Sequence, residues 1–175
     1  IPYFIAKKHP FHPVNDFTLI CNATESSSGV VVNSALPATN LREFIELAKR
    51  EPGKLTYSSA GVGTLFHLTG ELFKQAAGVD MVHVPYKGAA QALTDLSSGQ
   101  ISVTFSILAP VLSYVRSGKM RVVALLEPGR NTSLPDVPSI TETLPNFQKL
   151  GGGLGFFGPA GLPRPIVQRL NAEIN

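Results

Sequence analysis

A single cysteine, Cys21, stands in 175 residues. An internal disulfide is therefore excluded, and so is a cysteine-built metal site, which needs several thiolates. No apolar run approaches the roughly 20 residues that a membrane-spanning helix requires. The net charge of +3 is small, and the basic residues are scattered, without the dense cluster interleaved with aromatics that marks a nucleic-acid surface. Nucleic acid is not an expected partner. The signatures of common chemistries are missing too. Gly61-Val62-Gly63 is followed by Phe66 where a dinucleotide loop has its third glycine, and no Gly-Lys-Ser/Thr ends a phosphate loop. Tyr57-Ser-Ser-Ala-Gly61 lacks the glycine two residues before the serine that a hydrolase elbow needs. Glu71, Asp80 and Asp95 are single carboxylates rather than an acid–base pair. His9 and His12 are separated by Pro10 and have no third ligand nearby. No catalytic constellation emerges, so neither an enzyme nor a bound cofactor or metal is expected.

What the sequence does contain is a hydrophobic fraction of 43%, enough for one good core, and one stretch around which the rest is arranged. Lys54 to His67 begins as an alternating apolar run, stops at Ser58-Ser59, passes through Gly61 and Gly63, and restarts with helical spacing. That pattern predicts a strand feeding a helix through a loop of small residues. Glycine tolerates positive φ, small neighbours let a ligand approach, and the first amides of a helix carry partial positive charge. The hydroxyls of Ser58, Ser59 and Thr64 add donors, although Thr64 could equally serve as the helix N-cap. A small carboxylate suits such a place; an ordinary capped turn is the plain alternative. His67 stands in the first helical turn, as a packing residue or as a base without a nameable nucleophile. His83, within an apolar strand, reads as an interior histidine.

Strand and helix alternate along the chain. Strands are predicted at Phe17–Cys21, Val30–Val32, Met81–Val84, Ile101–Phe105 and Met120–Leu126. Helices are predicted from Asn40 (boxed with Glu43) to Pro52, from Thr64 to Gly78, from Ala89 to Leu96, from Pro110 to Val115, and from Pro163 onward. The fold class is α/β, with a parallel sheet, right-handed crossovers and helices on both faces. Ligands of such sheets bind beyond the carboxyl ends of the strands. The Ser58–Thr64 loop, the Tyr86-Lys87-Gly88 loop and the Phe105-Ser106 end would converge there. Lys87 could pair with an acidic ligand or simply be a surface lysine.

Pro52-Gly-Lys-Leu-Thr-Tyr-Ser-Ser-Ala-Gly-Val-Gly-Thr64, His67-Leu, Glu71-Leu-Phe73, Val82-His-Val-Pro-Tyr-Lys-Gly88, Ala92-Leu-Thr-Asp-Leu96, Ser117-Gly-Lys119, Leu134-Pro-Asp-Val-Pro138 and Pro159-Ala-Gly161 together resemble the Bug family. These are extracytoplasmic solute receptors of tripartite tricarboxylate transporters. The resemblance implies a two-lobed type II periplasmic binding protein that closes around a small organic carboxylate and hands it to membrane permease subunits. It implies ligand contacts at Ser58, Ser59, Ala60, Gly61, Gly63 and Thr64, and less directly at His67, Tyr86, Lys87 and Ser106. It also implies that this chain is a truncated form lacking the signal peptide and much of lobe 1. Residues 1–22 would be a flanking strip of lobe 1, 23–127 the α/β ligand-binding lobe, and 128–175 a connection and second strip. A periplasmic location and self-association of the truncated form follow from the same reading. Two departures stand out: Ser106-Ile107 where the family has an Asp followed by Asn or Ser, and Gly153 where it has Trp. An alternative of another class is the effector-sensing domain of a transcriptional regulator with the same type of fold; a hydrolase or isomerase using His67 is a further one.

Overall fold

A computed structural model describes residues 10–24, 26–131 and 134–175, as two compact units: residues up to Ser26 with Gly151–Asn175, and Ser27–Leu150. The expectations for residues 1–9, His9 included, lie outside the described residues.

In the first unit, β1 (Phe17–Thr24) pairs antiparallel with β7 (Leu154–Pro159), so Phe17 lies opposite Pro159 and Thr24 opposite Leu154. The helix α5 (Arg164–Ile174) starts after Pro163, with Pro165 in its first turn where a missing amide costs nothing. Asn171 ties it to β1 by donating from Nδ2 to the Ile20 carbonyl at 2.8 Å. Cys21 is buried. Phe11, Phe17 and Phe157 meet edge to face, at centroid distances of 5.4 and 6.4 Å, yet all three rings remain exposed.

The second unit is built on a five-stranded sheet. Its strands are β2 (Ser28–Asn33), β3 (Thr56–Ser59), β4 (Val82–Pro85), β5 (Val103–Ile107) and β6 (Met120–Leu125), in the spatial order β4-β3-β5-β2-β6. β3 runs parallel to β4 and β5, but β2 runs antiparallel to both β5 and β6. The sheet is thus mostly parallel, with one reversed strand near its middle, where an all-parallel sheet was expected. The reversal has a visible cause. β2 enters at the carboxyl edge, with Ser28 opposite Ile107, and leaves at the amino edge, with Asn33 opposite Met120. The chain is then already on the side from which β3 starts. Apolar periodicity reports which faces are buried and is silent on strand direction.

Val30 and Val32 pack on one side with Phe44, Tyr57, Phe73 and Phe105, while Val31 packs on the other with Leu93, Leu96 and Val122. Burial on both faces explains the unbroken valine run. The first face is covered by α1 (Leu41–Arg50) and α2 (Leu65–Ala77), the second by α3 (Ala89–Ser97) and α4 (Leu112–Arg116). Asn40 caps α1 by accepting the Glu43 amide at 3.0 Å, but Glu43 reaches one residue further back than a capping box would, to the Thr39 amide and hydroxyl at 2.7 Å each.

The second unit runs on to Leu150, well past residue 127. The reason is packing. Pro138 accepts the Leu125 amide at 2.8 Å, Ile140 and Phe147 enter the core beside α1, and Arg130 grips both carboxylate oxygens of Glu142 at 2.9 Å. Likewise, β1 continues through Thr24, so the first unit extends beyond residue 22. Glu127 Oε1 accepts from the Ser28 amide at 2.9 Å and from Lys149 Nζ at 2.6 Å, joining the two ends of the unit. Burial tends to raise the Glu127 pKa, yet the bonds from Lys149 and the Ser28 amide outweigh it and hold the carboxyl below its usual range. A group with a lowered folded pKa stabilises above its unfolded value and loses that contribution as pH falls through the folded one. Glu127→Gln should therefore melt lower than the wild type near neutral pH, and the gap should close as the solution is acidified below the ordinary glutamate range. Thermal melts across pH check this; a gap that widens in acid would contradict it.

Candidate functional site

β3, β4 and β5 end side by side, with Ser58 opposite Val84 and Thr104, and Ser59 opposite Pro85. At that edge Ser59, Ala60, Phe66, Ala89, Thr104, Ser106 and their neighbours line a depression of about 160 Å³. Three of the expected residues are therefore brought together in its wall: Ser59, Ala60 and Ser106. Tyr86 adjoins them through its backbone, its amide donating to the Ser59 carbonyl at 2.9 Å. A larger groove of about 580 Å³ lies along α2 between Leu68 and Leu150, lined mainly by Leu68, Leu72 and Val79. Its polar lining is Glu71, Lys74 and Gln75, with Lys74 already engaged by Glu71 at 3.2 Å, whereas the smaller depression lies at the strand ends beside the start of α2 and is the candidate.

The loop between β3 and α2 has the backbone its glycines imply, with φ of +127° at Gly61 and +77° at Gly63. Thr64 stands at the N-cap position of α2 but makes no cap, because its hydroxyl donates instead to the Gly61 carbonyl at 2.7 Å. Among the described residues, the amides of Leu65, Phe66 and His67 have no protein acceptor. These uncapped groups, with the dipole of a 13-residue helix behind them, suit a negatively charged guest.

The other expected residues divide by what already holds them. The Gly63 amide is occupied, donating to His67 Nδ1 at 3.1 Å. The Ser58 hydroxyl is fully buried and meets no hydrogen-bond partner. Ser59 Oγ accepts the Gly61 amide at 3.1 Å and lies 2.7 Å from His83 Nε2. Ser106 donates to the Ile107 carbonyl at 3.0 Å. The Tyr86 hydroxyl donates to Asp95 at 2.7 Å, and burial together with that carboxylate pushes its pKa up to about 12. Lys87 is exposed.

Sequence reasoning missed the part played by His83. Its ring lies 4.1 Å from that of His67, tilted by 41°, and 4.8 Å from Tyr57. Burial, followed by the nearby His67 and Lys74, keeps its pKa below the usual imidazole range against the pull of Glu71. Tyr57 donates to Glu71 at 2.6 Å, and burial, reinforced by that carboxylate, raises its pKa. Burial also works to raise the pKa of Glu71, but the bonds from Tyr57 and Lys74 prevail and lower it. The missed signal was alternation: Tyr57 and Ser59 share a face of β3, and β4 pairs with it so that His83 lies opposite Tyr57.

Residues 1–175 match the family described as tripartite tricarboxylate transporter family receptor. A UPF0065 protein encoded in the tcbD-tcbE intergenic region of Pseudomonas sp. (strain P51) is 33% identical over 174 residues, covering 98% of this chain and 52% of the relative. Among solved structures, R. palustris Rpa4515 with adipate superposes with a TM-score of 0.89 at 30% identity, over 96% of this chain and 56% of that one. MatC (Rpa3494) from Rhodopseudomonas palustris, with bound malate, superposes with a TM-score of 0.83 at 30% identity, over 94% and 56%. The chain thus spans about half the length of the curated relatives it matches. The fold is the α/β architecture of type II periplasmic binding proteins. The chain belongs to the family of tripartite tricarboxylate transporter receptors, the Bug family that its own motifs resemble.

Proposed function

We propose that this chain is part of a periplasmic receptor that binds a small organic carboxylate and delivers it to the membrane permease of a tripartite transporter. The observation that carries this reading is the uncapped start of α2 behind a glycine loop, facing the depression at the carboxyl edge of β3 and β5. One carboxylate would sit on the free amides of Leu65 and Phe66 and beside Ser59, Ala60, Gly61 and Thr64, while Ser106 and Thr104 would border the rest of the molecule. Adipate and malate in two similar structures are both dicarboxylates, which makes that class the first to try. Ser106 in place of an acidic residue leaves the pocket wall uncharged, so an ammonium group on the ligand would find no partner there. The reading is of a binding protein rather than an enzyme, because the matching family model is of a receptor and similar structures include the periplasmic binding protein BugD, while both loop histidines are already engaged, His67 by the Gly63 amide and His83 by Ser59.

Calorimetry of the full-length protein against di- and tricarboxylic acids tests this. Binding in the micromolar range, about −8 kcal/mol, is the expected result; an absence of heat with every acid of the series would overturn it. The 175-residue chain by itself should bind more weakly and should self-associate through the exposed Phe17, Leu19, Phe156 and Phe157. Light scattering should record mass rising with concentration, and Phe157→Ser should reduce the rise. A constant monomer mass over a wide range would remove the self-association claim.

A further inference from the structure

The underside of the glycine loop is held by two imidazoles from different elements. His67, in the first turn of α2, accepts the Gly63 amide on Nδ1 at 3.1 Å, which only an unprotonated Nδ1 can do. His83, on β4, places Nε2 at 2.7 Å from Ser59 Oγ. That same oxygen accepts the Gly61 amide at 3.1 Å, so the loop's first glycine is tied through Ser59 to the neighbouring strand. The two rings lie 4.1 Å apart at a tilt of 41°, with Tyr57 from β3 against them and Glu71 and Lys74 of α2 as the charged groups acting on them.

We propose that His67 and His83 are positioning residues that clip the carboxylate-binding loop from beneath, His67 through Gly63 and His83 through Ser59 and Gly61, rather than groups that touch the ligand. The inference rests on the receptor reading above and deepens it. A loop with two glycines at positive φ has many conformations to lose when it binds, and fixing it beforehand removes that cost from the binding step. The clip works with neutral rings. A proton on His67 Nδ1 would set a donor against the Gly63 N–H, and two cationic rings 4.1 Å apart would repel each other. Burial, which holds the His83 pKa low, acts in the same direction.

Two measurements on the 175-residue chain test the clip without a ligand. Imidazole 15N shifts in the wild type should report His67 protonated on Nε2 and bare on Nδ1; a proton on Nδ1 in neutral solution overturns the inference without any variant having to fold. Amide exchange over the loop should then separate His67→Leu from His67→Asn, whose side-chain oxygen can still take the Gly63 N–H. Loss of the bond should speed exchange at Gly63 about tenfold in the leucine variant and leave the asparagine variant near wild type. His83→Leu and His83→Gln should divide in the same way at Gly61. Equal exchange in leucine and amide variants would mean that the rings only fill space, and would overturn the proposal. Titration of the full-length protein with adipate, malate and citrate is the separate arm. Failure of all three acids with the exchange pattern intact overturns the receptor reading and leaves the clip standing; binding with no difference between the leucine and amide variants overturns the clip alone.

Discussion

Gly70→Ala should destabilise the protein by roughly 1–3 kcal/mol, the range of core overpacking, and lower the melting temperature by about 2–4 °C per kcal/mol for a chain of this size. In an open helix the same change would help by about 1 kcal/mol, so the sign of the effect is itself informative. The cause lies across α2, where a Cβ at Gly70 would fall on the ring of Tyr57, closest to Cε2 and within 2.8 and 2.9 Å of Cδ2 and Cζ. That ring has nowhere to go. It is wholly buried, packed between His83 at 4.8 Å and Phe105 at 6.0 Å, and anchored by its hydroxyl to Glu71 at 2.6 Å. Chemical unfolding of the variant measures the loss, and Tyr57→Val in the Gly70→Ala background should return part of it. An alanine variant as stable as the wild type would mean that the helix can shift away from β3.

Gly61→Val should weaken carboxylate binding by the full-length protein at least tenfold, corresponding to about 1.4 kcal/mol. A β-branched residue at φ of +127° carries strain on the order of 1–3 kcal/mol, and the loop can relieve it only by turning its amides away. Space is not the issue, since the nearest atoms to a new Cβ, on Thr64 and Tyr86, are 3.8 Å away. Gly78→Ala is the control. Gly78 ends the same helix at φ of +63° with nothing close by, so that variant should lose stability and keep its affinity. Calorimetry on both distinguishes damage to the loop from general loosening. Equal affinity in the Gly61 and Gly78 variants would remove the loop from the binding event.

Much of this fold was legible in the residues. The helix at Leu41–Arg50 announced itself through Asn40, Glu43 and the spacing of Leu41, Phe44, Ile45 and Ala48, and the βα turn at Ser58–Thr64 through its small residues. What could not be read was direction and partnership. Val30-Val31-Val32 looks the same in a strand running either way, and only its neighbours Val103 and Arg121 reveal the reversal. Leu144 and Phe147 sit in a proline-rich stretch that reads as a connection, because its apolar residues have no period, yet they pack onto the core. At the site, the small residues and the bare helix start were visible in advance. The use of Gly63 by His67 was not, since that local contact depends on which way the ring turns, and the use of Ser59 by His83 was not, since it depends on which strands lie adjacent.

The reversed strand has a bearing on how the chain reaches this state. β2 is made early, but its hydrogen-bonding partners on either side are β5 and β6, which end at Leu125. Both ladders close large loops, so the middle of the sheet forms late, at a cost in chain entropy that slows acquisition of the native state. Until Val122 to Leu125 have emerged from synthesis, a strand whose every residue is buried in the finished sheet has open edges and invites pairing with other chains. A polypeptide cut short before Leu125 would be expected to aggregate rather than wait.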